Sequence, residues 1–207
     1  MVSTISQKDK YRVPAYTASA KLTVKGSKFI SQIFPVETKE EAERTYATVQ
    51  KKYYDATHNC FAYRIDENIF RYSDDGEPSG TAGRPILQVL DGHNLFEVLC
   101  VVTRYYGGTK LGTGGLIRAY SDVTAEALKK IRIKEKVFSE IIHLKSAYGL
   151  ENLIFHFLDL MSGKMLKSVY GKEIILSIEL PKSNVQSFLN QVMEQSAGKI
   201  QRIDFPE

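Results

Sequence analysis

The chain has few of the features that would place it in a specialised class. Its 207 residues include only two cysteines, Cys60 and Cys100, both inside apolar, strand-like segments. Neither a disulfide framework nor a Cys-x-x-Cys metal or redox site is available, and both read as buried thiols. No run approaches the roughly 20 apolar residues that a membrane span needs. The polar start, Met1 to Lys10, lacks an apolar stretch of signal-peptide length. A cytoplasmic location with no membrane partner is the expectation. His93, His143 and His156 are isolated, so no zinc or other metal is expected. Excess charge is also lacking: 28 basic residues stand against 24 acidic ones, a net +4. With 43% apolar and 25% charged residues, the composition is that of a folded globular protein and excludes disorder and collagen-like repeats.

The charge that is present is uneven. Residues 1–136 carry 21 basic against 16 acidic side chains, and residues 137–207 carry 7 against 8. The positive field therefore belongs to the first part. Lys129, Lys130, Arg132, Lys134 and Lys136 cluster at and beyond the end of a predicted helix. There they either complement the helix dipole or present a patch to a polyanion.

Periodicity divides the chain into two α+β domains, 1–134 and 135–207, each able to bury a core. Lys21 to Val24 and Lys28 to Val36 form a hairpin turned by Lys25-Gly26-Ser27. Thr38 and Glu41 make a capping box. Ala42, Tyr46, Val49 and Tyr53 then recur at helical spacing. Phe61 to Ile65 and Ile69 to Tyr72 pair as a second hairpin. Pro85 stands where a first helical residue belongs, and Gly92 where a C-terminal cap belongs. Leu95 to Thr103 reads as a buried strand. A stripe from Leu116 to Leu128 marks a helix that follows Gly114-Gly115. The charged run after it reads as a linker. Beyond it come a strand from Val137 to Leu144, a helix on Leu150 to Leu158, strands Met165 to Tyr170 and Ile174 to Leu180, a helix capped by Ser183 with Gln186, and a strand Ile200 to Phe205. The order β-α-β-β-α-β is that of a ferredoxin-like domain.

Two glycine-rich loops hold the residues able to do chemistry. Ser73 to Gly83 carries Asp74, Asp75 and Glu77 with Ser79 and Thr81, directly before a helix. Its acids depart from the EF-hand pattern, and its Asp and Ser side chains suit a self-bonded turn. Gly107, Gly108, Thr109, Lys110, Gly112, Thr113, Gly114 and Gly115 resemble a phosphate cradle, because backbone N–H groups, a lysine and a helix start converge. The spacing matches neither the P-loop nor the dinucleotide fingerprint, and no cofactor is implied. Arg104 and the aromatic pair Tyr105-Tyr106 flank the same segment and suit either phosphate and base contacts or packing at a strand end, and Arg118, in the helix that follows, is a candidate for the same site. His58, between Asp55 and Cys60, is a secondary candidate. The reading requires the two loops to meet beside a helix start.

Asp55-Ala56-Thr57-His58-Asn59-Cys60, the Ser73 to Pro85 segment and Val102 to Tyr120 together resemble the YigZ/IMPACT family. Lys25-Gly26-Ser27-Lys28-Phe29 is similar to that family's opening hairpin. The resemblance implies a first domain with the fold of the second domain of a small-subunit ribosomal protein, shared with a translocase elongation factor. It implies a second domain similar to that factor's ferredoxin-like last domain. Eukaryotic members regulate translation initiation through protein partners, with an additional N-terminal domain. For bacterial-type members it implies a translation-linked or nucleic-acid-binding role without agreed catalytic residues. Three functions stay open: binding RNA or the ribosome through the basic first domain, catalysis on a small phosphorylated or nucleotide substrate, and docking of a protein partner.

Overall fold

Strand β6 (Val98–Tyr105) lies at the centre of the first sheet and explains its layering. Seven of its eight residues are buried, because helices cover the sheet on both faces. The computed structural model describes residue 6 and residues 9–204. The chain folds as two compact units, one comprising Arg12–Glu135 and the other Met1–Tyr11 with Lys136–Glu207.

The first of these units holds β2 (Ala18–Val24), β3 (Ser27–Pro35), α1 (Lys39–Lys52), β4 (His58–Arg64), β5 (Phe70–Ser73), α2 (Gly83–Gly92), β6 and α3 (Gly112–Leu128). Its five strands are antiparallel in the order β2-β3-β6-β4-β5. Side chains alternate between two cores, as the pleat requires. Cys60, Ala62, Cys100 and Val102 face α2 and α3 with Phe29 and Ile33. Phe61, Tyr63, Leu99 and Val101 face Ala42 and Val49 of α1. Thr38 caps α1 as expected, accepting from Glu41 N–H at 3.2 Å, while the Glu41 carboxylate accepts from Glu37 N–H at 2.7 Å, one residue before the position a full capping box uses.

Several boundaries move for local reasons. Strand β6 starts at Val98, because Asn94 and Glu97 adopt positive φ of 50° and break the run. Gly92 ends α2 without a left-handed turn, a conformation taken by Asn94 instead. Helix α3 absorbs Gly112 to Gly115 into its first turn rather than following them. The charged run is not a plain linker: β7 (Ile133–Val137) lies in it and pairs with β1 (Lys10–Pro14) as a two-stranded sheet.

The other unit contains β8 (Ser139–Ser146), α4 (Glu151–Leu160), β9 (Lys164–Tyr170), β10 (Ile174–Pro181), α5 (Val185–Gln195) and β11 (Ile200–Ile203). Its antiparallel sheet runs β11-β8-β10-β9. Ile142, Leu144, Leu176, Ile178 and Leu180 point to one face, where Ile154, Phe157, Phe188 and Val192 of the two helices close the core. Ser183 does not cap α5. It lies in a 3-10 turn, and its N–H and hydroxyl both go to the Asp9 carboxylate. Phe205, the expected end of the last strand, lies outside the described residues.

Candidate functional site

Glu77 is the hub of the first unit's polar interior. Its side chain is 3% exposed, in a loop that enters α2. Oε1 accepts from Arg104 Nη1 at 2.6 Å and from the Tyr120 hydroxyl at 2.8 Å. Oε2 lies 3.9 Å from His58 Nε2. Arg104, at the end of β6, is 5% exposed along its side chain. Its guanidinium sits between the rings of Phe29 and Tyr106, at 5.4 and 5.5 Å, and Nη2 donates to Ser27 Oγ at 3.2 Å. Buried charges persist only when paired and hydrogen-bonded, which fixes the geometry of this wall. Burial pushes the Tyr120 hydroxyl and the Cys60 thiol well above their usual ranges. Cys60 donates to the Tyr120 oxygen at 3.3 Å and to Asp74 O at 3.0 Å. It is a protonated core group, unsuited to nucleophilic attack.

The remaining acids are committed to the loop itself. Asp74 accepts from Gly80 N–H at 2.8 Å, Ala82 N–H at 2.9 Å and Gly83 N–H at 2.8 Å. It thereby places a negative charge at the α2 amino terminus. Asp75 accepts from Asn59 N–H at 2.6 Å, and its carbonyl meets His58 Nδ1 at 2.7 Å. Thr81 Oγ1 donates to Pro78 O at 2.7 Å, while Ser79 is exposed. No cluster of three or more metal-ligating side chains occurs among the described residues. Gly83 is obligatory for packing, since a Cβ there would lie 2.7 Å from Ser73 backbone atoms.

The start of α3 is arranged differently. No side chain caps it. Among the described residues, the N–H groups of Gly108 to Leu111 and of the first helical turn, Gly112 to Gly114, meet no acceptor. Gly107 is the exception: its N–H donates to Ser27 Oγ at 3.2 Å, and it packs so closely on Gly26 that a Cβ would fall 1.9 Å from Gly26 C. A cleft of about 350 Å³ lies here, lined by Glu77, Pro78, Arg104, Tyr106, Lys110 and Thr113 among others. The two loops therefore meet, but the contribution of the acidic loop is Glu77 and Pro78, not Asp74 or Asp75. Thr109 is exposed beside this cleft in sequence. Gly115 and Arg118 line a neighbouring cavity of about 290 Å³ with Lys25 and Asp122, and Arg118 Nε donates to Gly114 O at 3.3 Å. Tyr105 turns elsewhere, its hydroxyl donating to Asp55 at 2.8 Å, which raises its pKa. In the basic cluster, Lys129 pairs with Glu126 at 2.6 Å, and Lys130 Nζ donates to Ser19 O at 3.1 Å. Of the aromatic pair Tyr105-Tyr106 it is Tyr106 that lines the cleft, and sequence reasoning missed Ser27, which ties both Arg104 and Gly107. Nothing local marks Ser27.

The sequence matches a known family. Residues 25–128 match the Impact N-terminal domain, and the chain belongs to the IMPACT family. It is 37% identical to IMPACT family member YvyE of Bacillus subtilis, over 86% of this chain and 83% of that one. It is 32% identical to IMPACT family member YigZ of Escherichia coli, over 96% of this chain and 100% of that one. A crystal structure described as that of an hypothetical protein superposes with a TM-score of 0.67 at 32% identity, covering 96% of this chain and 98% of the other.

Proposed function

We propose that this protein is a translation-linked binding protein that grips RNA or ribonucleoprotein by its phosphates at the amino terminus of α3. The observation that carries the reading is the uncapped helix start, where the N–H groups from Gly108 to Gly114 lack acceptors beside exposed Lys110. Such a terminus attracts anions through its dipole and its free donors. The contrast with α2 supports this, because there Asp74 supplies the negative charge from within the chain. Arg104 is held by Glu77, so it shapes the cleft wall, while Lys110 supplies the exposed cation. The translation link rests on the family resemblance. It is supported by a reading of residues 135–207 as a ferredoxin-like domain, with strand order β11-β8-β10-β9 and two helices on one face. Residues 1–134 are read as a domain related to the second domain of a small-subunit ribosomal protein. The site of action is the cytoplasm. No helix among the described residues is long and apolar enough to cross a membrane.

The test is fluorescence anisotropy with a short single-stranded RNA across a salt series. Binding should be measurable at low salt, and log K should fall with log salt by about 0.7 per phosphate contacted. Absence of binding at low salt would remove the proposal.

A further inference from the structure

We infer that the cleft beside Tyr106 is a single-nucleotide pocket, in which one base stacks on that ring while its phosphate rests on the start of α3. The inference deepens the RNA reading and rests on it. Three observations independent of the helix terminus point to a ligand.

The first is a buried polar atom without a partner on the cleft wall. Arg104, 5% exposed along its side chain, leaves its Nε–H with no acceptor. Glu77, 3% exposed, carries its hydrogen bonds from Arg104 and Tyr120 on Oε1, and its Oε2 faces His58 Nε2 at 3.9 Å. Buried polar groups are rarely left unpaired, and both side chains line the cleft. They offer one donor and one acceptor, the combination that the edge of a nucleobase presents in complement. The second is Tyr106. Its ring packs on the Arg104 guanidinium at 5.5 Å, yet the residue remains 47% exposed, which leaves ring surface for a base. Aromatic rings are the common stacking platform for unpaired bases. The third is size. A cleft of about 350 Å³ falls at the small end of ligand sites, roughly 300–1,000 Å³. It suits one nucleotide and excludes a duplex. Lys110, Gly112 and Thr113 line the same cleft, where a phosphate meets the lysine and the free amides.

A nucleotide arrives either free or as one unit of a single strand, and the test separates these sources. Calorimetric titrations of the full chain would use adenosine, guanosine, cytidine and uridine 5′-monophosphates, ribose 5-phosphate, inorganic phosphate and a short single-stranded RNA. Mononucleotides should bind roughly tenfold or more tighter than ribose 5-phosphate, the contribution of one base stack. Tyr106→Ala should abolish that difference, bringing mononucleotide affinity down to that of ribose 5-phosphate. Tyr106 is exposed, and its backbone bond to Thr57 Oγ1 survives the substitution, so the variant should fold. Equal affinity for mononucleotide and ribose 5-phosphate, or a Tyr106→Ala protein that retains the preference, overturns the inference. If RNA then still binds with a salt slope, the RNA reading stands without this pocket. If mononucleotides bind through Tyr106 and RNA does not, the pocket stands for free nucleotides and the RNA reading falls.

Discussion

Glu77→Ala removes one carboxylate from a network whose other members remain buried. Arg104 would keep its charge at 5% side-chain exposure, with Ser27 Oγ at 3.2 Å as its remaining hydrogen-bond partner. Tyr120, fully buried, would lose the acceptor for its hydroxyl. Leaving one charge of a buried pair uncompensated costs about 3–5 kcal/mol. An orphaned buried hydroxyl adds about 1 kcal/mol or more. With a urea m-value of about 2 kcal/mol/M, the transition of the first unit should fall by roughly 2 M. Urea titrations followed by tyrosine fluorescence and far-UV circular dichroism would measure the shift. Glu77→Gln keeps an oxygen for both donors and should lose less. The double variant Glu77→Leu, Arg104→Met removes both charges and should recover most of the loss. A Glu77→Ala cost below about 1 kcal/mol, the range of exposed ion pairs, would refute the closed network. So would a double variant no more stable than the sum of its single changes.

Other perturbations test separate parts of the account. Asp74→Ala strands three N–H groups and removes the charge at the α2 start, so it should destabilise by about 2–3 kcal/mol in urea titration, with Asp74→Asn intermediate. Gly83→Ala forces a Cβ to within 2.7 Å of Ser73 backbone and should cost about 1–3 kcal/mol in the same assay. Alkaline pH should weaken the fold. Burial raises the Cys100 thiol from its ordinary 9.0 to about 11. Its contribution is complete below pH 9 and is lost as the pH rises towards 11, by about 2–3 kcal/mol at 1.36 kcal/mol per unit. Cys60 acts in the same direction. Chemical denaturation between pH 8 and 10.5 should show the decline, and Cys100→Ala should make it shallower.

Much of the fold was legible because it is written locally. Thr38 and Glu41 announce α1 within four positions, and the apolar run of β6 reflects burial on both faces. The alternating β10, with four of its eight residues fully packed on one face before Pro181, was equally plain. Strands β1 and β7 were not, because KYRVP and IKEKV are short and charged and gain their order from each other. The α3 start lies earlier than the pattern suggests because glycine reads as loop, whereas here Gly112 takes the positive φ of 70° that opens the helix and Thr113 to Gly115 lie within its first turn. Ser183 carried a cap signal, but Asp9, far away in sequence, claims its donors. At the site, composition marked the two loops, and the coordinates bring Glu77 and Pro78 of one beside Lys110 to Thr113 of the other. Which acid would line the cleft did not follow from composition, since Asp74, Asp75 and Glu77 are chemically alike. Their roles are set by what the topology places opposite them: the α2 amides, Asn59 and Arg104.

The central claim is that the free amides at the α3 start receive phosphate, and nuclear magnetic resonance of the 15N-labelled chain tests it most directly. On titration with a short single-stranded RNA at low salt, the largest amide shifts should fall on Gly108 to Gly114, fading as salt is raised. Shifts centred instead on Lys129 to Lys136 or on residues 137–204, with Gly108 to Gly114 unmoved, would contradict the account.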